Sequence, residues 1–381
     1  MNNSKILFFS SYYPPNISGS STIIYNLVNS LDPKNIFGVV TCAMSLNDKN
    51  HSENGINIYK IFNYQYLINS RMTFFSRRLL FSHEKNKIIN IIKNQNITHI
   101  IGVYPDLDFI QLAMTVAKEC KIKFYPYLHD TIVEALNHKI YKPLAKKVQK
   151  QIFLNSAKIF VMSDGIKQLY KKKYNIDSIP LLHTYSEEIK QHINKKDITN
   201  SFFWGGSIYT LNTNSVKRIY QICNEINYTL LLSAATSYQN MRNLGFKMDN
   251  IKILPFLERK NFLKKIQNQK ALILSIDWPD ETSIHKDELS TVFPTKTIEY
   301  LLSGRPIIVH CHEDYFLSKF FKKNNCGLVI NTRDINLIKN QVIKFLEDKI
   351  EQNKMILNAL KVVKQFHISK AKSVLNKQLI I

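Results

Sequence analysis

The chain has 381 residues, 45% of them hydrophobic, and 52 Lys and Arg against 29 Asp and Glu leave it at +23. That length and apolar content give two domains of ordinary size a core each and exclude a disordered chain. The charge favours anionic partners, namely nucleic acid, an anionic membrane surface or phosphorylated substrates, and abundant lysine along the whole chain gives the same excess as plain composition. The five cysteines, Cys42, Cys120, Cys223, Cys311 and Cys326, are odd in number with no C-x-x-C pair. That excludes a disulfide framework and a zinc knuckle and fits a reducing compartment. No apolar run reaches the roughly 18 residues that span a bilayer. The first apolar patch meets Tyr12-Tyr13-Pro14-Pro15 instead of a small-residue cleavage site, so the expectation is a cytoplasmic protein.

Short apolar runs bounded by turn residues recur in chain order at 5–10, 36–41, 56–62, 98–104, 123–129, 158–163 and 178–184. They recur again at 201–206, 228–234, 251–256, 270–276, 305–310 and 327–330. Several are apolar on both faces, as buried parallel strands are. Amphipathic stretches lie between them: Ile23, Ile24, Leu27, Val28 and Leu31; then Val148, Ile152 and Phe153; then Ile166, Leu169 and Tyr170. Strand–helix alternation predicts an α/β protein with parallel sheets. Residues 186–200 are polar without an apolar period and read as a linker. The domains are then 1–185, 201–355, and a C-terminal helical segment at 356–381. Ligands of such sheets sit at the carboxyl ends of the strands, at the topological switch point.

Four loops at strand ends carry candidate chemistry. The first, 10–21, follows a strand and opens a helix. Gly19 admits a close ligand, and Ser18, Ser20 and their neighbours offer a cap and free N–H groups for an anion. An ordinary capped helix after a Pro-rich turn reads the same way. His129-Asp130 ends another strand, where the histidine can contact a reacting group and the carboxylate can orient it; a solvated loop pair is the alternative. Gly205, Gly206 and Ser207 follow the strand at 201–204. In a chain with only 10 glycines, an adjacent pair suits either a backbone nest for a diphosphate or a tight turn. The fourth segment runs Phe293-Pro294-Thr295-Lys296-Thr297-Ile298-Glu299-Tyr300-Leu301-Leu302-Ser303-Gly304-Arg305-Pro306. It reads as loop, helix, glycine stop and strand. Thr295 and Lys296 fall in the first turn, where hydroxyl, ammonium and N–H groups converge on phosphate oxygens. Glu299, a turn further on, can accept from two vicinal hydroxyls such as a ribose offers.

That fourth segment resembles the donor-binding signature of retaining GT-B glycosyltransferases of family four, in the subgroup reading Phe-Pro-Ser-Lys-x-x-Glu-Tyr-Leu-x-x-Gly-x-Pro, with Thr295 for the serine. The resemblance implies two Rossmann-like parallel-sheet domains facing across a cleft, the second binding a nucleotide sugar, and a terminal helix crossing back to the first. It places the nucleotide ribose on Glu299 and the diphosphate against Gly206, Thr295 and Lys296. It sets His129 near the reaction centre and the acceptor near Gly19. The activity implied is metal-independent hexosyl transfer. The donor is a UDP-sugar in preference to a GDP-sugar; the acceptor is a glycan or lipid-linked glycan of bacterial surface polysaccharide synthesis. No cofactor is expected beyond the nucleotide sugar as co-substrate. A catalytically silent GT-B subunit and a nucleotide-sugar epimerase are the alternatives. Two positions depart from the pattern. Thr291 stands where the motif has its first Glu, with Asp287 and Glu288 nearby, and Ser207 to Thr210 lack the usual Arg and Lys. Lys296 is the cation left to meet the diphosphate.

Asp106-Leu107-Asp108 spells the D-x-D of metal-using transferases, but it begins a helix, where Asp is a normal N-terminal residue. Residues 64–93 mix aromatics and cations, among them Tyr64, Tyr66, Arg71, Phe74, Arg77 and Arg78. With Lys142, Lys146, Lys147 and Lys150 further on, they suit either an anionic lipid surface or a solvated helix. No motif supports nucleic acid as a partner.

Overall fold

The structure, a computed structural model, describes residues 5–15, 18–42, 49–62, 73–136, 141–186, 198–234, 236–255, 257 and 259–379, with backbone only at 73–79 and 259–260. The chain divides into two compact units, Met1–Ser186 with Phe366–Ile381, and Glu187–Gln365.

In the first unit the strands are β1 (Ile6–Phe9), β2 (Ile36–Cys42), β3 (His51–Glu53), β4 (Ile56–Ile61), β5 (His99–Tyr104), β6 (Lys123–Leu128), β7 (Phe160–Val161) and β8 (Ile179–Pro180). They lie in the order β3-β4-β2-β1-β5-β6-β7-β8, parallel except for the antiparallel β3–β4 edge. Every residue of β1 and β5 is buried, because helices cover both faces of a parallel sheet. On one face, Leu7, Ile100, Phe109, Leu112, Val148 and Ile152 belong to a single core. On the other, Ile6, Phe8, Ile23, Ile24 and Leu27 pack with Ala371, Leu375 and Leu379 of the last helix, Ile368–Leu379. Each fully buried side chain of this kind contributes about 1.5–3 kcal/mol, which is what returns the C-terminus to the first unit. Tyr185 and His367 meet where the chain leaves and re-enters, with rings 5.3 Å apart.

The second unit holds β9 (Thr199–Gly205), β10 (Thr229–Ser233), β11 (Ile251–Leu254), β12 (Gln269–Ser275), β13 (Ile307–His310) and β14 (Leu328–Ile330). Their order is β11-β10-β9-β12-β13-β14 and every pairing is parallel. In both sheets the first strand has its successor on one side and a later strand on the other: β1 lies between β2 and β5, and β9 between β10 and β12. The crevice beyond their carboxyl ends is the switch point of a doubly wound sheet.

Some elements differ from the sequence reading. The edge strand β3 has three exposed polar residues, so a search for apolar runs passes over it. The helices Tyr238–Asn243 and Lys286–Thr291 have six residues each, too short for an amphipathic period to show. The runs at 158–163 and 178–184 shrink to two paired residues each, and Pro180 has no N–H to extend the ladder. β9 begins at Thr199, inside the stretch read as a linker, whose residues 187–197 lie outside the described residues. The crossing segment expected from residue 356 begins later: the helix Lys349–Val362 stays with the second unit, and the chain returns at Phe366. Of the mixed aromatic–basic stretch, 63–72 and the side chains of 73–79 lie outside the described residues. Lys146, Lys147 and Lys150 are exposed along the helix Tyr141–Asn155, beside Leu154, which is 69% exposed. Among the described residues no helix is long and apolar enough to cross a membrane.

Candidate functional site

In the second unit the candidate donor residues converge at the end of β9. Gly206 has φ +102°, a conformation that side-chain-bearing residues rarely adopt. A Cβ built on it would stand 3.8 Å from Lys296 Nζ. The Lys296 ammonium lies 3.2 Å from the centroid of the Trp204 ring. Trp204 is almost wholly buried, and its indole Nε1–H donates to the Gly206 carbonyl at 2.8 Å. One aromatic residue thus contacts both the cation and the glycine turn. Burial drives the Lys296 ammonium well below its ordinary pKa, although the residue as a whole is half-buried.

The backbone nest expected of Gly205 and Gly206 is not open, because both amides are already used. Gly205 N–H donates to the Tyr300 hydroxyl at 2.9 Å, and Gly206 N–H to the Ser233 carbonyl at 2.8 Å. Gly206 and Ser207 themselves are exposed, so this loop offers a close approach and an adjacent cation in place of a ring of N–H donors.

The second half of the site is the helix Lys296–Leu302, entered through Pro294 and Thr295. Its opening is tight. Thr297 N–H donates back to the Pro294 carbonyl at 2.9 Å and Ile298 N–H to Thr295 at 3.4 Å. Fewer free amides therefore remain at its start than the sequence reading supposed, and Thr295 makes no side-chain cap. Glu299 lies in the first turn and is 8% exposed. Tyr300 is fully buried, and its hydroxyl ties this helix to the glycine pair. Neither Trp204 nor Tyr300 had been given a role from the sequence. A Trp one residue before a Gly-Gly pair and a Tyr directly after the motif glutamate were the available signals. Thr291, at the position of the motif's first Glu, is 4% exposed and donates to the Glu288 carbonyl at 2.9 Å.

Beyond β12, the fully buried Asp277 carboxylate accepts from Ser215 N–H (2.6 Å), Ser215 Oγ (2.7 Å), Asn214 N–H (3.0 Å) and Asn214 Nδ2 (3.1 Å). It thereby anchors the start of the helix Thr213–Glu225. Arg218 forms a two-pronged pair with Glu281 at 2.6 and 2.9 Å and stacks on Trp278 at 4.8 Å. Its Nε donates to His310 Nε2 at 3.0 Å, and His310 Nδ1 faces the Ile330 carbonyl at 3.2 Å. The histidine is thereby held neutral with its proton on Nδ1. Burial, with Arg218 beside it, pushes its pKa from 6.5 down to about 3.

In the first unit, Ser18 accepts from Ser21 N–H at 3.0 Å and caps the helix Gly19–Ser30. Ser20 Oγ lies 2.9 Å from His129 Nδ1, which joins the first loop to the end of β6. Serine, and not Asp130, is therefore the hydrogen-bond partner seen at Nδ1. His129 is 2% exposed, and its Nε2 is buried with no hydrogen-bond partner. Burial, reinforced by nearby His183, pushes its pKa from 6.5 to about 3. Burial also raises the Asp130 carboxyl above its ordinary value. Asp106 Oδ1 accepts from the amides of Asp108 and Phe109, both at 3.1 Å, as a helix cap. Among the described residues no group of three or more His, Cys, Asp or Glu is placed to hold a metal ion.

No protein-family model matches the chain, and no curated protein sequence matches it. Solved structures do. The apo form of the lipopolysaccharide outer core galactosyltransferase WaaB is 15% identical, with a TM-score of 0.66 and 99% of each chain covered. Anabaena HepE in complex with UDP-glucose is 11% identical, with a TM-score of 0.70 and 99% of each chain covered. A glycosyltransferase from Rickettsia africae is 12% identical, with a TM-score of 0.67, covering 100% of this chain and 99% of that one. At such identities the likeness shows the fold, and the fold is GT-B: two α/β units, each on a sheet dominated by parallel strands.

Proposed function

We propose that the chain is a metal-independent glycosyltransferase that takes a nucleotide sugar, a UDP-sugar in preference to a GDP-sugar, and passes the sugar with retention to a glycan or lipid-linked glycan of bacterial surface polysaccharide. The observation that carries this reading is the Lys296 ammonium beside Gly206, with Glu299 one turn along the same helix. A cation against an open glycine turn suits a diphosphate, and a buried carboxylate suits the paired hydroxyls of a ribose. The fold supports it, since HepE of the same fold was solved with UDP and with UDP-glucose. His129, held by Ser20 with a buried free Nε2, is the group we assign to the reacting sugar. The exposed lysines of the helix Tyr141–Asn155 suit an anionic membrane face that would present a lipid-linked acceptor.

Calorimetric titration with UDP, GDP and their sugars tests the reading on the wild type and on Glu299→Ala. Binding of one nucleotide, weakened at least tenfold in the variant, is the expected result. The buried Thr291 in place of a glutamate favours a second reading, a silent subunit, which the absence of any nucleotide binding would support. Turnover of the nucleotide sugar with no acceptor present would point to an epimerase.

A further inference from the structure

We infer that Trp204 is a positioning residue for the donor diphosphate: its indole face holds the Lys296 ammonium over the Gly206 turn, and its Nε1–H fixes that turn. The inference rests on the nucleotide-sugar reading of the same site and goes beyond it by naming what holds the cation in place.

Three observations carry it. Lys296 Nζ is 3.2 Å from the ring centroid, well inside the distance at which an aromatic face attracts a cation. Among the described residues, no carboxylate forms a salt bridge with Lys296. Its ammonium therefore faces one aromatic ring with no carboxylate to neutralise it, and an arriving anion would offset the cost of its burial. The same ring donates to the Gly206 carbonyl at 2.8 Å, and Gly206 is the residue whose missing side chain leaves room beside the ammonium. A flexible lysine reaching phosphate from solvent must lose much of its rotamer freedom on binding. Here that freedom is already restricted before the ligand arrives. The neighbouring Gly205 amide, bound to Tyr300, keeps the strand end and the lysine's helix in register. Since Lys296 meets only the phosphates, Trp204 should matter in proportion to the charge on the phosphate chain and little to the nucleoside.

The experiment measures Kd for UDP and UMP, and for GDP and GMP, by calorimetry on the wild type, Trp204→Leu, Trp204→Phe, Lys296→Met and the Trp204→Leu/Lys296→Met double variant. Trp204→Leu should weaken the diphosphate about tenfold and the monophosphate much less. Trp204→Phe, which keeps an aromatic face, should fall between. The double variant should be no weaker than Lys296→Met alone, because both changes remove one device. A folded Trp204→Leu protein with the wild-type ratio of diphosphate to monophosphate affinity would overturn the inference and leave the donor reading standing. A wild type that binds no nucleoside diphosphate would overturn both. Should Trp204→Leu fail to fold, Trp204 emission is read in a Trp278→Phe background. It should change on adding the nucleoside diphosphate and not do so once Lys296→Met is added; an identical change in both proteins would overturn the inference.

Discussion

Tyr300→Phe removes one oxygen atom and nothing else from a side chain with no exposure. No cavity of consequence forms and no rotamer need change, so the cost lies in what the oxygen was doing. It accepts the Gly205 N–H at 2.9 Å, and without it a buried amide at the end of β9 loses its partner. Leaving a buried donor unmatched costs about 1–3 kcal/mol. In a domain of roughly 150–250 residues that lowers Tm by about 2–4 °C for each kcal/mol. The chain's two tryptophans, Trp204 and Trp278, both fall within Glu187–Gln365, so urea unfolding followed by tryptophan emission reports on this unit alone. The loss should come with weaker nucleotide binding, since Gly205 adjoins the Gly206 turn. A change smaller than about 0.5 kcal/mol, the range of an ordinary surface substitution, would refute the claim that the hydroxyl holds the strand end.

The pH dependence follows from two buried histidines. His129 and His310 each have a folded pKa near 3 against an ordinary 6.5. Both are kept neutral by folding, so their contribution is complete above pH 6.5 and is lost as pH falls toward 3 and the unfolded chain takes up the protons. Between pH 7 and 5 each loses about 2 kcal/mol. Replacing His310 with Gln should flatten that slope in the tryptophan-monitored transition of the second unit, and an unchanged slope would contradict the assignment. On the first unit, changing Lys146, Lys147 and Lys150 together to Ser should remove about 1 kcal/mol of anionic-membrane affinity per lysine. Flotation with phosphatidylserine vesicles at low salt reads this, and equal flotation of variant and wild type would dismiss that face.

The parts of the site that could be read from the sequence are those where one residue type answers one local need. Gly206 is needed where φ is +102°, Ser18 where a helix opens, and Lys296 and Glu299 a fixed three residues apart on one helix. Parallel strands were legible for the same reason, since β1, and β5 after His99, are apolar and buried on both faces. What could not be read was pairing across distance. Tyr300 reaches Gly205 from 95 residues away, and Ser20 reaches His129 from 109. No local pattern distinguishes Ser20 from Ser21, nor says that serine and not Asp130 meets the imidazole. The expectation of open amides at Gly205 and Gly206 failed on the same ground, because their partners, Tyr300 and Ser233, arrive from other elements.

The two units nevertheless share a logic that explains why the candidate loops lie where they do. In each sheet the first strand is central, with the next strand on one side and the fourth in the crossover series on the other. The loop leaving that first strand therefore opens at the switch point, where no covering connection crosses it. In the first unit the loop carries Ser18 and Ser20, in the second Gly206 and Ser207, and each is met by a side chain from a later strand–helix segment: His129 in one, Lys296 in the other. His129 is buried and Lys296 half-buried, and each leaves polar capacity unused by the described residues, a ring nitrogen at His129 and a cation at Lys296. Burying polar groups in this state opposes folding. Their presence at the switch point of each sheet is what a pair of ligand sites would require and what packing alone would not select.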